Sequence, residues 1–256
     1  MTDEEYFNNT AMSQSKIKIL LESPRLFYFK HILNIDMDDK NGASMQFGNC
    51  LDLALTEPDK YKELKIKNTK TTSLQGYITK EWQIKIDKMI NELDNYIFED
   101  DYFNGVTYKK ITQSCTMQDK LFYNYNDIDW KAKFDLLSIQ NKLIIDIKST
   151  RSITEKDFIK DFYKFGYHIQ AGSYSIAFNE VYKKGYPVIY YIGISTVTGE
   201  IFVLQCTEDI IQYGIHKINK GCELYKYYNN NNLWLKQNNI VKLQLPEWLK
   251  KGNINE

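Results

Sequence analysis

The chain has 256 residues, a length that suits one large domain or two small ones. Its 43% hydrophobic and 26% charged content supports a sizeable core and excludes a disordered chain. Thirty-three basic and 33 acidic residues cancel, so no global field draws the chain to nucleic acid, and any such contact must come from local clustering.

The opening MTDEEYFNNT is acidic and polar, without the basic-then-apolar pattern of a secretory leader, and no apolar run reaches membrane-spanning length. A cytoplasmic location is expected. Ser13 or Ser15 can cap a helix running to about Glu22, and Pro24 can open a further turn. DMDDKNGAS reads as a polar loop. A helix over about 44–56 follows, with Cys50, Leu51, Ala54 and Leu55 as its apolar face, ending before Pro58. Lysines 60, 62, 65, 67 and 70 form the densest basic stretch, read as a solvated strand and loop.

Trp82, Ile86, Met89, Ile90 and Leu93 recur at helical spacing within about 74–97. Strands are predicted at about 107–117, 120–125, 129–138 and 142–149. Helices are predicted at about 154–163 and 167–183. PVIYYIGIS and EIFVLQC then pair across Thr198-Gly199, and a helix near 208–228 leads to the NNNN tract. Neither repeats nor a dividing linker interrupt this order. Cys50, Cys115, Cys206 and Cys222 are scattered without a C-x-x-C pair and are expected to be free thiols.

The chemistry concentrates between Trp130 and Tyr174. Asp135 ends one β-type run, and LIIDIKST places Asp146 and Lys148 two apart, hence on one face of a strand. Leu143, Ile145 and Ile147 alternate with them and should face the core. Carboxylates bind hard divalent cations through oxygen, and a lysine beside them can orient water against a phosphodiester. Gln170 and Tyr174 share one face of a helix at i, i+4. Taken by themselves, Asp146 and Lys148 could equally form a plain ion pair on a solvated sheet face.

At these residues the chain resembles the PD-(D/E)xK nuclease superfamily, and within it the RecB-like and RecE-type phage exonucleases, which carry Asp, then Asp-x-Lys, then Gln-x-x-x-Tyr. MSQSKIKILLESPRLFYFKHIL resembles that family's opening Ser-x-Ser helix, and FGNCLDLALTEP its Gly-x-x-x-His helix. The likeness runs from about Met12 to Ile201. It implies an α/β fold, a central mixed β-sheet flanked by α-helices, as a single nuclease domain over 1–256 with a helical N-terminal region and a C-terminal helix and tail. It implies Asp135, Asp146, Lys148, Gln170 and Tyr174 as catalytic residues. Asp52, Asp135, Asp146 and the Ile147 carbonyl are implied as metal ligands, for Mg2+ with Mn2+ as the alternative. Asp52 stands where relatives place histidine, and Gln113 where they often place glutamate. Arg151, Ser149 and Thr150 follow the Asp-x-Lys strand as candidate phosphate contacts.

The function implied is Mg2+-dependent digestion of linear duplex DNA, 5′ to 3′, in phage-type recombination or repair inside a bacterial host cell. RecE-type relatives form homo-oligomeric rings on double-stranded DNA ends and cooperate with a single-strand annealing protein. Two alternatives stay open: an endonuclease of the same superfamily, and a catalytically silent DNA- or partner-binding protein.

Overall fold

In the computed structural model, residues 2–35, 43–67, 77–235 and 242–245 are described. The chain opens with α1 (Asp3–Asn8), α2 (Gln14–Glu22) and α3 (Pro24–Phe27), the last running into a π-helical turn at Tyr28–Ile32. Each start carries its own capping chemistry. Thr2 and Glu5 close a reciprocal capping box on α1, the Ser13 hydroxyl accepts from Lys16 N, and Pro24 occupies the first turn of α3. Helix α1 was not foreseen, although T-x-x-E is its sequence signature.

Helices α4 (Ala43–Thr56) and α5 (Pro58–Lys62) follow, then β1 (Lys65–Lys67), which pairs in parallel with β2 (Tyr77–Thr79). The basic stretch therefore divides between a short helix and a strand, and Lys70 lies outside the described residues, as does most of DMDDKNGAS. Helix α6 (Lys80–Asp94) is shorter than expected. Tyr77–Thr79 pairs as strand, Thr79 caps the helix by accepting from Trp82 N, and Ile97–Phe98 forms β3 beyond its end. Residues 74–76 of that expected helix fall outside the described set.

The strand expected at 107–117 is corrected. β4 (Val106–Thr107) only pairs with β3, and α7 (Tyr108–Thr112) follows it. Tyr108 and Ile111 stand three apart and are both buried, so helical spacing satisfies them where strand alternation would expose one. The strand begins at Thr116 and runs unbroken through the second expected segment.

The main sheet holds β5 (Thr116–Tyr125), β6 (Ile128–Ser138), β7 (Leu143–Thr150), β8 (Val188–Ser195) and β9 (Ile201–Gln205), in that spatial order. Only β7 and β8 run parallel, so a crossover must join them. Helices α8 (Glu155–Lys164) and α9 (Tyr167–Tyr182) supply it, and α10 (Glu208–Asn230) packs across α9. The hairpins turn where expected: Asn126 and Asp127 take positive φ between β5 and β6, and Gly199 does so between β8 and β9.

Both faces of the sheet are covered. One core holds Trp130, Phe134, Ile144, Tyr174 and Phe178 with α2, α9 and α10; the other holds Leu51, Ile86, Leu143, Ile145 and Ile192 with α4 and α6. Strand β7 thus sits at the centre of a sandwich, which is why its opening Leu143, Ile144 and Ile145 are apolar on both faces. Helices α9 and α10 cross glycine on glycine: a Cβ on Gly172 would lie 2.2 Å from the Gly214 carbonyl carbon. That contact lets α9 and α10 approach closely. All four cysteines are free thiols. Among the described residues no helix is long and apolar enough to cross a membrane.

Candidate active site

The site forms where two strands part. β6 and β7 pair only at Ser138–Leu143, Leu137–Ile144 and Leu136–Ile145. Continued one step, that register would set Asp135 opposite Asp146, but the ladder stops there. Ile147 N donates instead to the Asp135 carboxylate, at 2.9 Å from Oδ2. A side chain thus takes over from the backbone, and the gap opens into a cleft of about 330 Å³ lined by Asp135, Asp146, Lys148, Gln170 and Tyr174. The five residues expected to carry catalysis are brought together.

Asp146 is 1% exposed, which removes the reading of a plain ion pair on a solvated face. A buried carboxylate needs partners. Its Oδ1 accepts from Gln170 Nε2 and from Tyr174 Oη, both at 2.8 Å, and Gln170 Nε2 also donates to Tyr174 Oη at 2.7 Å. The i, i+4 pair on α9 is therefore a clamp that fixes one oxygen of Asp146. The other, Oδ2, is buried and is held by the Lys148 ammonium. Lys148 also lies over the Tyr167 ring, 5.2 Å from its centroid.

Electrostatics sharpen the picture. Desolvation pushes the Asp135 carboxyl up to about 8; the neighbouring Asp146 adds to the rise, while Lys148 opposes it. Desolvation alone would lower Lys148, but Asp146 and Asp135 outweigh it and hold the ammonium above the ordinary lysine range. The Tyr174 hydroxyl is raised well above its usual value by burial and then by the two carboxylates, so it remains a proton donor.

Asp52 lies on α4, its side chain open to solvent on one side. Desolvation by the surrounding protein raises its carboxyl, with Lys133 and Lys148 opposing and Asp146 reinforcing the rise. It is within electrostatic reach of the centre. Yet among the described residues no three His, Cys, Asp or Glu side chains gather closely enough to hold a metal ion. A metal here would rest on Asp135 and Asp146, with Asp52 and the Ile147 carbonyl closing in. The donor set fits a hard cation: it is all oxygen, from carboxylates and a backbone carbonyl.

Gln113 is exposed at the end of α7, away from the position expected of it. Gln118 approaches instead, with Nε2 at 3.4 Å from Asp135 Oδ1. It interrupts the β5–β6 ladder between Met117–Leu136 and Asp119–Phe134, and its φ is +53°. A non-glycine residue held there costs about 1–3 kcal/mol, a strain that clusters at functional sites. Nothing in the sequence pattern marks Gln118.

The three residues after the Asp-x-Lys strand are placed differently from one another. Arg151 is exposed. Ser149 packs against Gly48 of α4, where a Cβ would come within 2.6 Å of its hydroxyl. Thr150 is buried in a network with Ser152 and Asp161, its hydroxyl 2.9 Å from Ser152 Oγ. His168 is buried among the rings of Phe162, Tyr163 and Tyr213. The cleft also draws in Ser13, Gln14, Ser15, Lys16, Lys131 and Lys133. The lysines on β6 were legible in KAKFD, where residues 131, 133 and 135 alternate at spacing two.

Residues 13–240 match the model of a family described as a PDDEXK-like domain of unknown function (DUF3799). The chain belongs to that family. Among solved structures it is similar to a protein from Eubacterium rectale titled "Putative exonuclease", at 17% identity, 99% coverage of both chains and a TM-score of 0.64. That likeness shows the fold. A phage related exonuclease from Haemophilus somnus 129PT is also matched, at 12% identity over 72% of this chain and 95% of the other, with a TM-score of 0.34. No curated protein matches the chain.

Proposed function

We propose that this PDDEXK-like protein is a Mg2+-dependent DNA exonuclease acting on ends of linear duplex DNA, with 5′ to 3′ polarity and a role in phage-type recombination or repair. One observation carries the reading: Asp135, Asp146 and Lys148 meet in a single cleft at the point where β6 and β7 separate. The fold shared with the Eubacterium rectale protein, named "Putative exonuclease", supports it.

Asp135 and Asp146 would hold Mg2+, with Mn2+ as the alternative, and Asp52 and the Ile147 carbonyl would complete the ligand set. The ion would polarise the scissile phosphate and lower the pKa of a bound water. The protein's own residues do the rest. Gln170 and Tyr174 hold Asp146 Oδ1, while Lys148 pairs with Oδ2. The Lys148 ammonium stays charged and stabilises negative charge developing on the attacking oxygen or the phosphate. Arg151, exposed just past β7, and Ser149 would contact phosphate. A homo-oligomeric ring around DNA and a single-strand annealing partner complete the proposal.

The deciding experiment is digestion of end-labelled linear duplex beside closed circular DNA, with and without Mg2+. Metal-dependent loss of the linear form alone supports the reading. Rapid cleavage of closed circles selects an endonuclease instead. A silent DNA- or partner-binding protein is favoured by one observation, the absence of three gathered ligands among the described residues. It predicts no rise in melting temperature on adding Mg2+ or Mn2+.

A further inference from the structure

Beside the carboxylates, three lysines converge on one acid. Asp3, at the start of α1, has Oδ1 2.8 Å from Lys120 Nζ and 3.8 Å from Lys133 Nζ, while its Oδ2 lies 2.9 Å from Lys60 Nζ. Lys60 also pairs with Glu57, so Lys120 and Lys133 form the heart of the group. These two are direct partners across β5 and β6. Like charges set opposite each other destabilise a sheet unless an anion lies between them. Their side chains are 12% and 21% exposed, so water solvates the pair only in part.

Lys133 stands two residues before Asp135 on β6 and lines the same cleft as Asp146 and Lys148. An anion between Lys120 and Lys133 therefore lies at the edge of the reacting centre. What fills the place now sits on a short element. α1 has six residues, and Tyr6 is its one buried side chain. Asp3 is kept ionised well below the usual carboxylate range, chiefly by the hydrogen bond from Lys120 and then that from Lys60. At its other end α1 is pinned: buried Lys131 donates to the carbonyls of Tyr6 and Asn9 at 2.7 and 2.8 Å. Tyr6 and Phe7 lie in the cleft itself. Elements with so few buried contacts open at low cost.

We propose that Lys120 and Lys133, aided by Lys60, form a subsite for a backbone phosphate of DNA, and that the Asp3 carboxylate occupies it as an internal stand-in until substrate displaces the front of α1. The inference rests on the nuclease reading and deepens it. The lysine pair receives the phosphate next to the bond to be cut, and α1 swings about its Lys131-held end. Free enzyme thereby keeps two opposed cations bridged by one carboxylate, and a run of phosphates displaces it.

The test is binding of a short duplex oligonucleotide in chelator, where no cleavage intervenes, read by fluorescence anisotropy at two salt concentrations. Asp3→Asn should bind about fivefold tighter, the scale of one partly exposed ion-pair set no longer broken on binding. Adding Lys120→Gln to Asp3→Asn should erase the gain. Hydrogen exchange on the unmodified chain is independent of how any variant folds. DNA should speed exchange in α1 at Tyr6 and Phe7 while slowing it around Lys133. Unchanged or weaker binding by Asp3→Asn, a gain that survives Lys120→Gln, or α1 protected by DNA would each overturn the proposal. Wild-type digestion with Mg2+ is run alongside. Cleavage without the Asp3→Asn gain removes the subsite alone, whereas the gain without cleavage removes the nuclease reading and leaves an anion site.

Discussion

Tyr174→Phe tests how Asp146 is held. The substitution removes a single hydroxyl oxygen, so it leaves little cavity. That oxygen sits 2.8 Å from Asp146 Oδ1, 2.7 Å from Gln170 Nε2 and 3.0 Å from the Lys133 carbonyl. Its single proton makes one bond, to the carboxylate or the carbonyl, and its lone pairs receive the amide of Gln170. Losing a hydrogen bond to a buried charge costs about 1.5–3 kcal/mol, and leaving a buried amide short of an acceptor adds about 1 kcal/mol or more. Taking about 3 kcal/mol in all, the metal-free melting temperature should fall by about 6–12 °C, since one kcal/mol moves a domain of this size by about 2–4 °C. Groups that orient a ligating carboxylate also set metal affinity, so the Mg2+ concentration giving half the thermal stabilisation should rise about tenfold to a hundredfold. Calorimetry across an Mg2+ series reads both. Gln170→Ala combined with Tyr174→Phe should cost less than the two separately, because each removes part of one network. A melting temperature within a degree of the parent, with an unchanged Mg2+ titration, would refute the clamp.

Three further outcomes follow from the same centre. Lys148→Ala and Asp146→Asn should each lower single-turnover cleavage by at least about a hundredfold, the scale of losing a preorganised charge, while duplex binding in chelator changes little; near-parental cleavage by either would displace the assignment. Asp52→Ala should weaken the metal dependence of activity, and Asp52→His should restore part of it with Mn2+ favoured over Mg2+; an unchanged metal titration for Asp52→Ala would leave Asp52 outside the ligand set. In metal-free protein Asp135 is raised to about 8, so between the unfolded carboxylate range and that value the folded state binds the extra proton. Its stabilising contribution is complete at acid pH and is lost as pH rises towards about 8. Added Mg2+ should reverse the trend, because it binds the ionised form. Melting curves in chelator and in Mg2+ across this window check both signs.

Local chemistry alone placed much of this protein. Ser13, Pro24 and Thr198-Gly199 mark their caps and turns because capping and turn formation involve neighbours only a few residues apart. Asp146 with Lys148, and Gln170 with Tyr174, were legible for a related reason: strand and helix periods put each pair on one face whatever the rest of the chain does. The segment 108–112 misled because Tyr-Lys-Lys-Ile-Thr suits a strand by composition, and burial of Tyr108 and Ile111 at helical spacing decided otherwise. Which oxygen of Asp146 α9 clamps and which Lys148 takes, and what meets Asp135, depended on where the β6–β7 ladder ends and on how α9 packs against the sheet and α10. Gln118 enters the site because it sits opposite Asp135 in a register with no local cause. The meeting of Asp3 with Lys60, Lys120 and Lys133 likewise joins residues far apart in the chain. Periodicity decides which side chains share a face; only packing of distant segments decides which faces meet, because those contacts are selected by buried shape and charge rather than by neighbouring residues.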